Sequence, residues 1–231
     1  MSLLKSKLNS VVEVQELISY LNRKNLGVCL IGGAVRDILN NREPKDYDIV
    51  ICADVDVLGV VYDFICNKEY KINRAGGIKL FYNNIIFDIW SFKGQIGMCN
   101  GIYEKKIENL VECCFFNYNS IVYDIGNDYL YSKDYEECIN QGYLDLVGSY
   151  DVNYKNPLWA LNIARAVNIL LNNNFVVSDR FREYSVYCFN SYICCYSIIL
   201  LCYEGHYHLS WTSDCDKKLQ YMLSKIDKLN I

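Results

Sequence analysis

A strand, a glycine pair and a helix follow one another directly near the start of the chain. Residues 27–31 form a short apolar run typical of a strand, Gly32 and Gly33 follow, and residues 34–39 have a helical pattern. The two glycines remove two Cβ atoms where the strand enters the helix, which lets backbone N–H groups approach an anion. Arg36 adds a cation one helical turn further on. The segment therefore predicts a mixed fold of strands and helices with an anion-binding turn.

Three aspartates on predicted strands form a second feature. Asp46 and Asp48 are two residues apart on a strand predicted over residues 46–52, and strand side chains alternate, so both carboxylates project from one face. Asp88 is flanked by apolar residues in a predicted hairpin, where an unpaired carboxylate is costly to bury. Because neighbouring carboxylates repel one another unless a cation lies between them, a shared Mg²⁺ would supply the missing partner.

The remaining pattern predicts an α/β (α+β) lobe over residues 1–150 and an all-helical lobe over residues 151–231. In the first lobe a helix begins at the N-cap Ser10 and ends at Gly27. Further elements of this lobe are a helix over residues 55–66 and hairpins over 78–92 and 121–131. The second lobe has predicted helices over residues 158–171, 178–203 and 216–229. Residues 184–203 carry no charge, but their five tyrosines favour a buried helix over a membrane span.

Composition narrows the class of protein further. The 231 residues are 52% hydrophobic, which is enough for a packed core and excludes a disordered or collagen-like chain. A net charge of −4 gives no global field for phosphate backbones, so an avid, non-specific RNA binder is not expected. Twelve cysteines without an apolar leader in residues 1–17 indicate reduced thiols and a cytoplasmic protein.

The two motifs together resemble a known family. Residues 30–37, Leu-Ile-Gly-Gly-Ala-Val-Arg-Asp, and 46–49, Asp-Tyr-Asp-Ile, are similar to the head-domain signature of class II tRNA nucleotidyltransferases (CCA-adding enzymes) and bacterial poly(A) polymerases. Residues 76–93 resemble the family's next motif, with Lys93 where the family usually has Arg. The resemblance is strongest over residues 27–93. It implies a polymerase-β-like nucleotidyltransferase lobe with a mixed sheet, followed by a small helical lobe.

The resemblance also implies an activity and a set of site residues. Asp46 and Asp48 would hold Mg²⁺ that binds a nucleoside triphosphate, and Asp88 would join them to activate an acceptor hydroxyl in a two-metal transfer that releases pyrophosphate. The implied substrate is ATP or CTP. The implied acceptor is an RNA 3′ end, with a protein hydroxyl or a small molecule as alternatives. The nucleotide-binding positions implied are Gly32, Gly33, Arg36, Lys93, Asn119, Asn156, Trp159 and Arg165.

Two of the family's base-handling motifs are altered in this chain. Residues 113–115, Cys-Cys-Phe, stand where the family has Arg-Arg-Asp, although Asn119 is retained. Asn156 and Trp159 replace an Asp and an Arg that contact base edges in the family. Asn156 can still read one base edge, and Trp159 can either stack on a base or belong to the core. Synthesis of a full CCA end is therefore not expected, and a catalytically silent binding module is the alternative to an enzyme.

A second possible metal site lies near the C-terminus. Cys202, His206, His208 and Cys215 fall within a short segment, but their spacing matches no zinc-finger pattern. Core packing is the preferred interpretation, and a metal-binding regulator is a third functional hypothesis.

Overall fold

The computed structural model describes residues 2–149 and 153–224, which form two compact units. The first contains the described residues up to Cys114 together with Asn119–Tyr135. The second contains Phe115–Tyr118 and the described residues from Glu136 onward. The sequence placed the domain limit at residue 150, some way past the end of the first compact unit. The domain limits themselves stay a prediction.

A seven-stranded sheet is the framework of the first unit, and it is mixed, as the resemblance implies. Its order is β3-β4-β5-β2-β1-β6-β7, and β2 and β5 run parallel while the other neighbouring pairs run antiparallel. The strands are β1 (Val28–Ile31), β2 (Tyr47–Ile51), β3 (Glu69–Ile72), β4 (Ile78–Tyr82), β5 (Ile85–Ser91), β6 (Ile121–Asp124) and β7 (Tyr129–Ser132). Both predicted hairpins, β4 with β5 and β6 with β7, are confirmed.

Apolar side chains cover both faces of the sheet. On one face, Ile49 and Ile89 join the main core with the buried residues of four helices. On the other face, Cys29, Val50 and Val122 pack with residues of the segments that follow β5. The helices of this unit are α1 (Leu3–Asn9), α2 (Val12–Arg23), α3 (Gly33–Leu39), α4 (Val57–Ile65) and the short α5 (Ile96–Cys99).

The predicted cap of α2 is wrong. Ser10 ends α1, because its N–H donates back to the Lys7 carbonyl at 3.1 Å and its hydroxyl donates to the same carbonyl at 2.7 Å. Val11 precedes α2 and provides no side-chain cap. The apolar periodicity of α2 itself is confirmed, because Val14, Leu17, Ile18 and Leu21 are all buried.

The second unit is mainly helical, with one short parallel strand pair. Its elements are α6 (Tyr135–Gln141, beginning at the last residue of the first unit), β8 (Tyr143–Leu144), α7 (Trp159–Asn172), β9 (Val176–Val177), α8 (Asp179–Ser191), α9 (Cys195–Tyr207) and α10 (Ser213–Leu223). The last of these begins at the cap Thr212 rather than at Asp216. Residues 225–229 of that predicted helix lie outside the described residues.

The single long helix predicted over residues 178–203 is wrong. The chain ends α8 at Ser191 and starts α9 at Cys195, with Cys194 in the left-handed region at φ +59°. Each helix buries one face, while Ile193 between them is 88% exposed. No single helix in the described ranges has the length and apolar character to span a membrane. Only α8 and α9 taken together are long and apolar enough, and the two helices are bent by 114° relative to each other.

Candidate active site

The pairing of β2 with β5 places two of the predicted aspartates side by side. In this parallel pair Asp48 is directly opposite Asp88. Neighbouring strands are about 4.8 Å apart, and opposed residues present their side chains on the same face of the sheet. Asp46 lies one residue before β2, which begins at Tyr47. The strand is therefore shorter than predicted, and the alternation argument does not extend to Asp46.

The carboxylates share the sheet face that carries Val50 and Trp90, two residues further along β2 and β5. Ile49 and Ile89, on the opposite face, are fully buried in the main core. Asp88 keeps 18% of its side chain exposed. Strand alternation thus directs apolar residues into the main core and both acids towards the other face.

A lysine from the next strand contacts Asp88. Lys79 on β4 is directly opposite Asp88, and its Nζ lies 3.0 Å from Asp88 Oδ2. One row across three strands therefore reads Lys79, Asp88, Asp48. The sequence predicts that Asp88 has a partner, but it does not identify Lys79 as that partner. A two-residue turn at Asn83 and Asn84 sets the register of this hairpin. The turn is therefore the sequence signal from which the pairing of Lys79 with Asp88 can be predicted.

The donor set of this row fits a divalent cation. Carboxylate oxygens on adjacent strands are the ligands that Mg²⁺ takes, and the Lys79 ammonium contacts one of these oxygens, Asp88 Oδ2. However, no three His, Cys, Asp or Glu side chains come together as a metal-binding group within residues 2–149 and 153–224. The sharing of a metal by Asp46, Asp48 and Asp88 stays a prediction.

Within the described part of the chain, the C-terminal segment with Cys202, His206, His208 and Cys215 likewise forms no group of three metal-binding side chains. Cys215 is buried in the core of the second unit next to Thr212, and His208 ends α9 in a left-handed conformation. The preferred interpretation, core packing, fits the position of Cys215.

The predicted anion-binding turn brings four candidate residues together. Gly32 has φ +64° and donates its N–H to the Ile121 carbonyl at 2.9 Å, and Gly33 begins α3. The Arg36 side chain folds back over Gly33 and donates from Nη1 to Asn119 Oδ1 at 2.7 Å. Its other nitrogens contact the carboxylate of Asp37 at 3.0–3.1 Å. Gly32, Gly33, Arg36 and Asn119 therefore form one cluster.

Two partly buried thiols occupy the positions that resemble the family's paired arginines. Burial raises the pKa of Cys113 to about 12. Burial also raises the pKa of Cys114 to about 12, with smaller contributions from Cys113 and from the negative charge of Asp48. Both thiols are therefore uncharged at neutral pH. At this place the chain has neutral side chains where the family has two fixed positive charges.

Lys93 lies at the edge of a separate cavity. It belongs to a 3₁₀ turn, Phe92–Gly94, and is exposed. With Arg74 and Trp90 it lines a cavity of about 340 Å³. A larger groove of about 580 Å³, along α1, α2 and α4, is lined by none of the predicted site residues.

The remaining candidates belong to the second unit. Asn156 is buried, and its Oδ1 accepts a hydrogen bond from the Leu158 N–H at 2.9 Å just before α7. Trp159 is 9% exposed and stacks on Tyr192 with ring centroids 4.4 Å apart and planes 5° apart. Arg165 lies on α7 and is half-buried. Trp159 is thus a core residue in this structure, which was one of its two predicted roles.

The described elements form a mixed α/β domain with an acidic row on one face of its sheet, and a helical unit follows it in the chain. Residues 28–131 match the family model described as the poly(A) polymerase head domain. This match covers a little under half of the chain and agrees with the resemblance carried by the sequence motifs. The match to the family model extends past residue 93, which is the end of the segment with the strongest motif resemblance.

Solved structures of CCA-adding enzymes share the fold across most of the chain. A complex of such an enzyme with CTP has 15% identity and a TM-score of 0.67, and the match covers 94% of this chain and 54% of that one. A complex with ATP has 16% identity and a TM-score of 0.58, and the match covers 95% of this chain and 51% of that one. The Thermotoga maritima enzyme complexed with tRNA has 16% identity and a TM-score of 0.55, and the match covers 96% of this chain and 50% of that one. The chain spans about half the length of these relatives. A search of curated proteins finds no match.

Proposed function

We propose that this chain is a metal-dependent nucleotidyltransferase that moves a nucleoside monophosphate from a nucleoside triphosphate to an acceptor hydroxyl, with release of pyrophosphate. The observation that carries the proposal is the register of β2 and β5, which holds Asp48 beside Asp88 within the segment that matches the head-domain model. The cluster of Arg36 and Asn119 at the glycine turn gives further support.

In this proposal Asp48 and Asp88, with Asp46 just ahead of β2, hold Mg²⁺. When bound, the metal supplies charge neutralisation for the triphosphate and makes the acceptor hydroxyl a stronger nucleophile. Arg36 binds the triphosphate by exchanging Asn119 or Asp37 for a phosphate oxygen. Lys93 is exposed and adds a second cation for the nucleotide.

The acceptor we propose is an RNA 3′ end, and the nucleotide is ATP or CTP. Solved relatives of the same fold were determined with CTP, with ATP and with tRNA. We do not expect synthesis of a full CCA end. The paired positions 113 and 114 are neutral, and Asn156 already accepts a hydrogen bond from its own chain. Selecting two different bases in turn requires fixed polar partners, because a wrong base then leaves buried polar groups unpaired.

A transfer assay tests this function. Purified protein, Mg²⁺ and total cellular RNA and protein are incubated with each of the four α-labelled triphosphates in turn. We expect label in RNA with ATP or CTP, and its loss in Asp48→Asn. Asp63→Asn is the matched control, because Asp63 is an 80% exposed aspartate on α4. Label in protein would refute the RNA acceptor, and label in every variant alike would refute the site.

A catalytically silent binding module is the second candidate. The contacts of Lys79 with Asp88 and of Arg36 with Asp37 favour it, because cationic groups already meet these carboxylates. It predicts triphosphate binding without transfer of label to any acceptor. Transfer that depends on Asp48 would exclude it.

A further inference from the structure

Lys79 belongs to the same row of the sheet as the acidic pair. Its Nζ lies 3.0 Å from Asp88 Oδ2, and register places Asp88 between Lys79 and Asp48. The lysine side chain is 39% exposed and that of Asp88 only 18%, so the contact is partly shielded from water. Lys79 alternates with Ile78 and Leu80, which are fully buried on the other face. Its placement on the acidic face therefore follows from strand alternation.

An ammonium in this position has two opposing effects. It reduces the repulsion between two carboxylates held on adjacent strands, which stabilises the row without a metal. It also contacts an oxygen that a divalent cation would need, and like charges repel at short range. A metal ion on Asp88 Oδ2 and the ammonium at its present distance therefore exclude each other.

We propose that Lys79 is a positioning residue that sets the metal affinity of the acidic site by competing with the divalent cation for Asp88. This inference rests on the proposed function. Lys79 acts as a resident counter-cation, and occupation of Asp88 by metal requires its ammonium to move away. The chain consequently binds divalent metal more weakly than the same pair of carboxylates would without the lysine.

Direct binding of Mn²⁺, followed by the electron paramagnetic resonance signal of the free ion, tests the competition without any turnover. We expect Lys79→Gln to bind Mn²⁺ about tenfold more tightly, since one positive charge near a divalent ion is removed. Lys79→Arg keeps the charge and should resemble the unmodified protein. Lys71→Gln is the matched control, because Lys71 is opposite Lys79 on β3, one strand further from the acids.

Asp48→Asn separates this inference from the proposed function. If Mn²⁺ binding is lost in Asp48→Asn but Lys79→Gln binds no more tightly than the unmodified protein, the competition is refuted and the metal site stands. Asp48→Asn is also introduced into Lys79→Gln. If it leaves Mn²⁺ binding unchanged both there and in the unmodified protein, both the competition and the metal-dependent function are refuted. Equal tightening in Lys71→Gln would show a general charge effect and would also overturn the role of Lys79.

Discussion

The two adjacent glycines of the turn should respond in opposite ways to the same substitution. Gly32 has φ +64° and ψ −122°, a combination that an L residue rarely adopts. A Cβ there would lie 3.8 Å from the Asn119 carbonyl oxygen, which is ordinary contact, so the cost of Gly32→Ala is backbone strain alone. Such strain costs about 1–3 kcal/mol.

Gly33 is the first residue of α3 and its φ is not positive. A Cβ there would meet Arg36 Nη2 at 3.6 Å, again an ordinary contact. Gly33→Ala should therefore leave the protein as stable or stabilise it by up to about 1 kcal/mol, because alanine restricts the unfolded chain.

Thermal unfolding followed by circular dichroism distinguishes the two variants. For a protein of this size each kcal/mol shifts Tm by roughly 2–4 °C, so Gly32→Ala should lower Tm by roughly 2–12 °C. Gly33→Ala should leave Tm unchanged or raise it slightly. Equal values of Tm for the two variants would refute the assignment of strain to Gly32.

Three further predictions concern groups outside the turn. The hydroxyl of Ser2 is the main cause that lowers the pKa of Asp128 to about 2, so this contribution to stability is present above pH 4 and is lost as the pH falls towards 2. Tm measured from pH 5 to pH 2 should therefore fall less steeply in Asp128→Asn than in the unmodified protein, and parallel curves would contradict this. The pKa of Cys114, raised to about 12, should protect it from iodoacetamide at pH 7.5 while the exposed Cys66 reacts, and mass mapping that finds equal labelling would contradict this. Trp159→Ala should cost about 3–5 kcal/mol in urea unfolding, because it removes a stacked core ring; unchanged stability with weaker nucleotide binding would instead support base stacking.

Local patterns predicted much of the fold. The hairpin of β4 and β5 and the buried face of α2 followed from alternation, helical spacing and a two-residue turn, all of which act over a few residues. Two of the failures also have local causes. The sequence places Ser10 at the wrong helix because it gives no signal for α1, and the uncharged residues 184–203 give no sign of the left-handed Cys194 that interrupts the helix.

The sequence by itself determined the chemical groups and the family resemblance, because the glycine turn and the aspartates are residue types that the implied chemistry requires at close spacing. Tertiary structure alone decided which groups meet. The parallel pairing of β2 with β5 brings together Asp48 and Asp88, which are forty positions apart in the sequence, and folding brings Cys114 close enough for the charge of Asp48 to affect its pKa. Such contacts depend on the order of strands in the sheet, which no local pattern specifies. For the same reason Trp159 could be assigned to the core only once its ring was seen stacked on Tyr192.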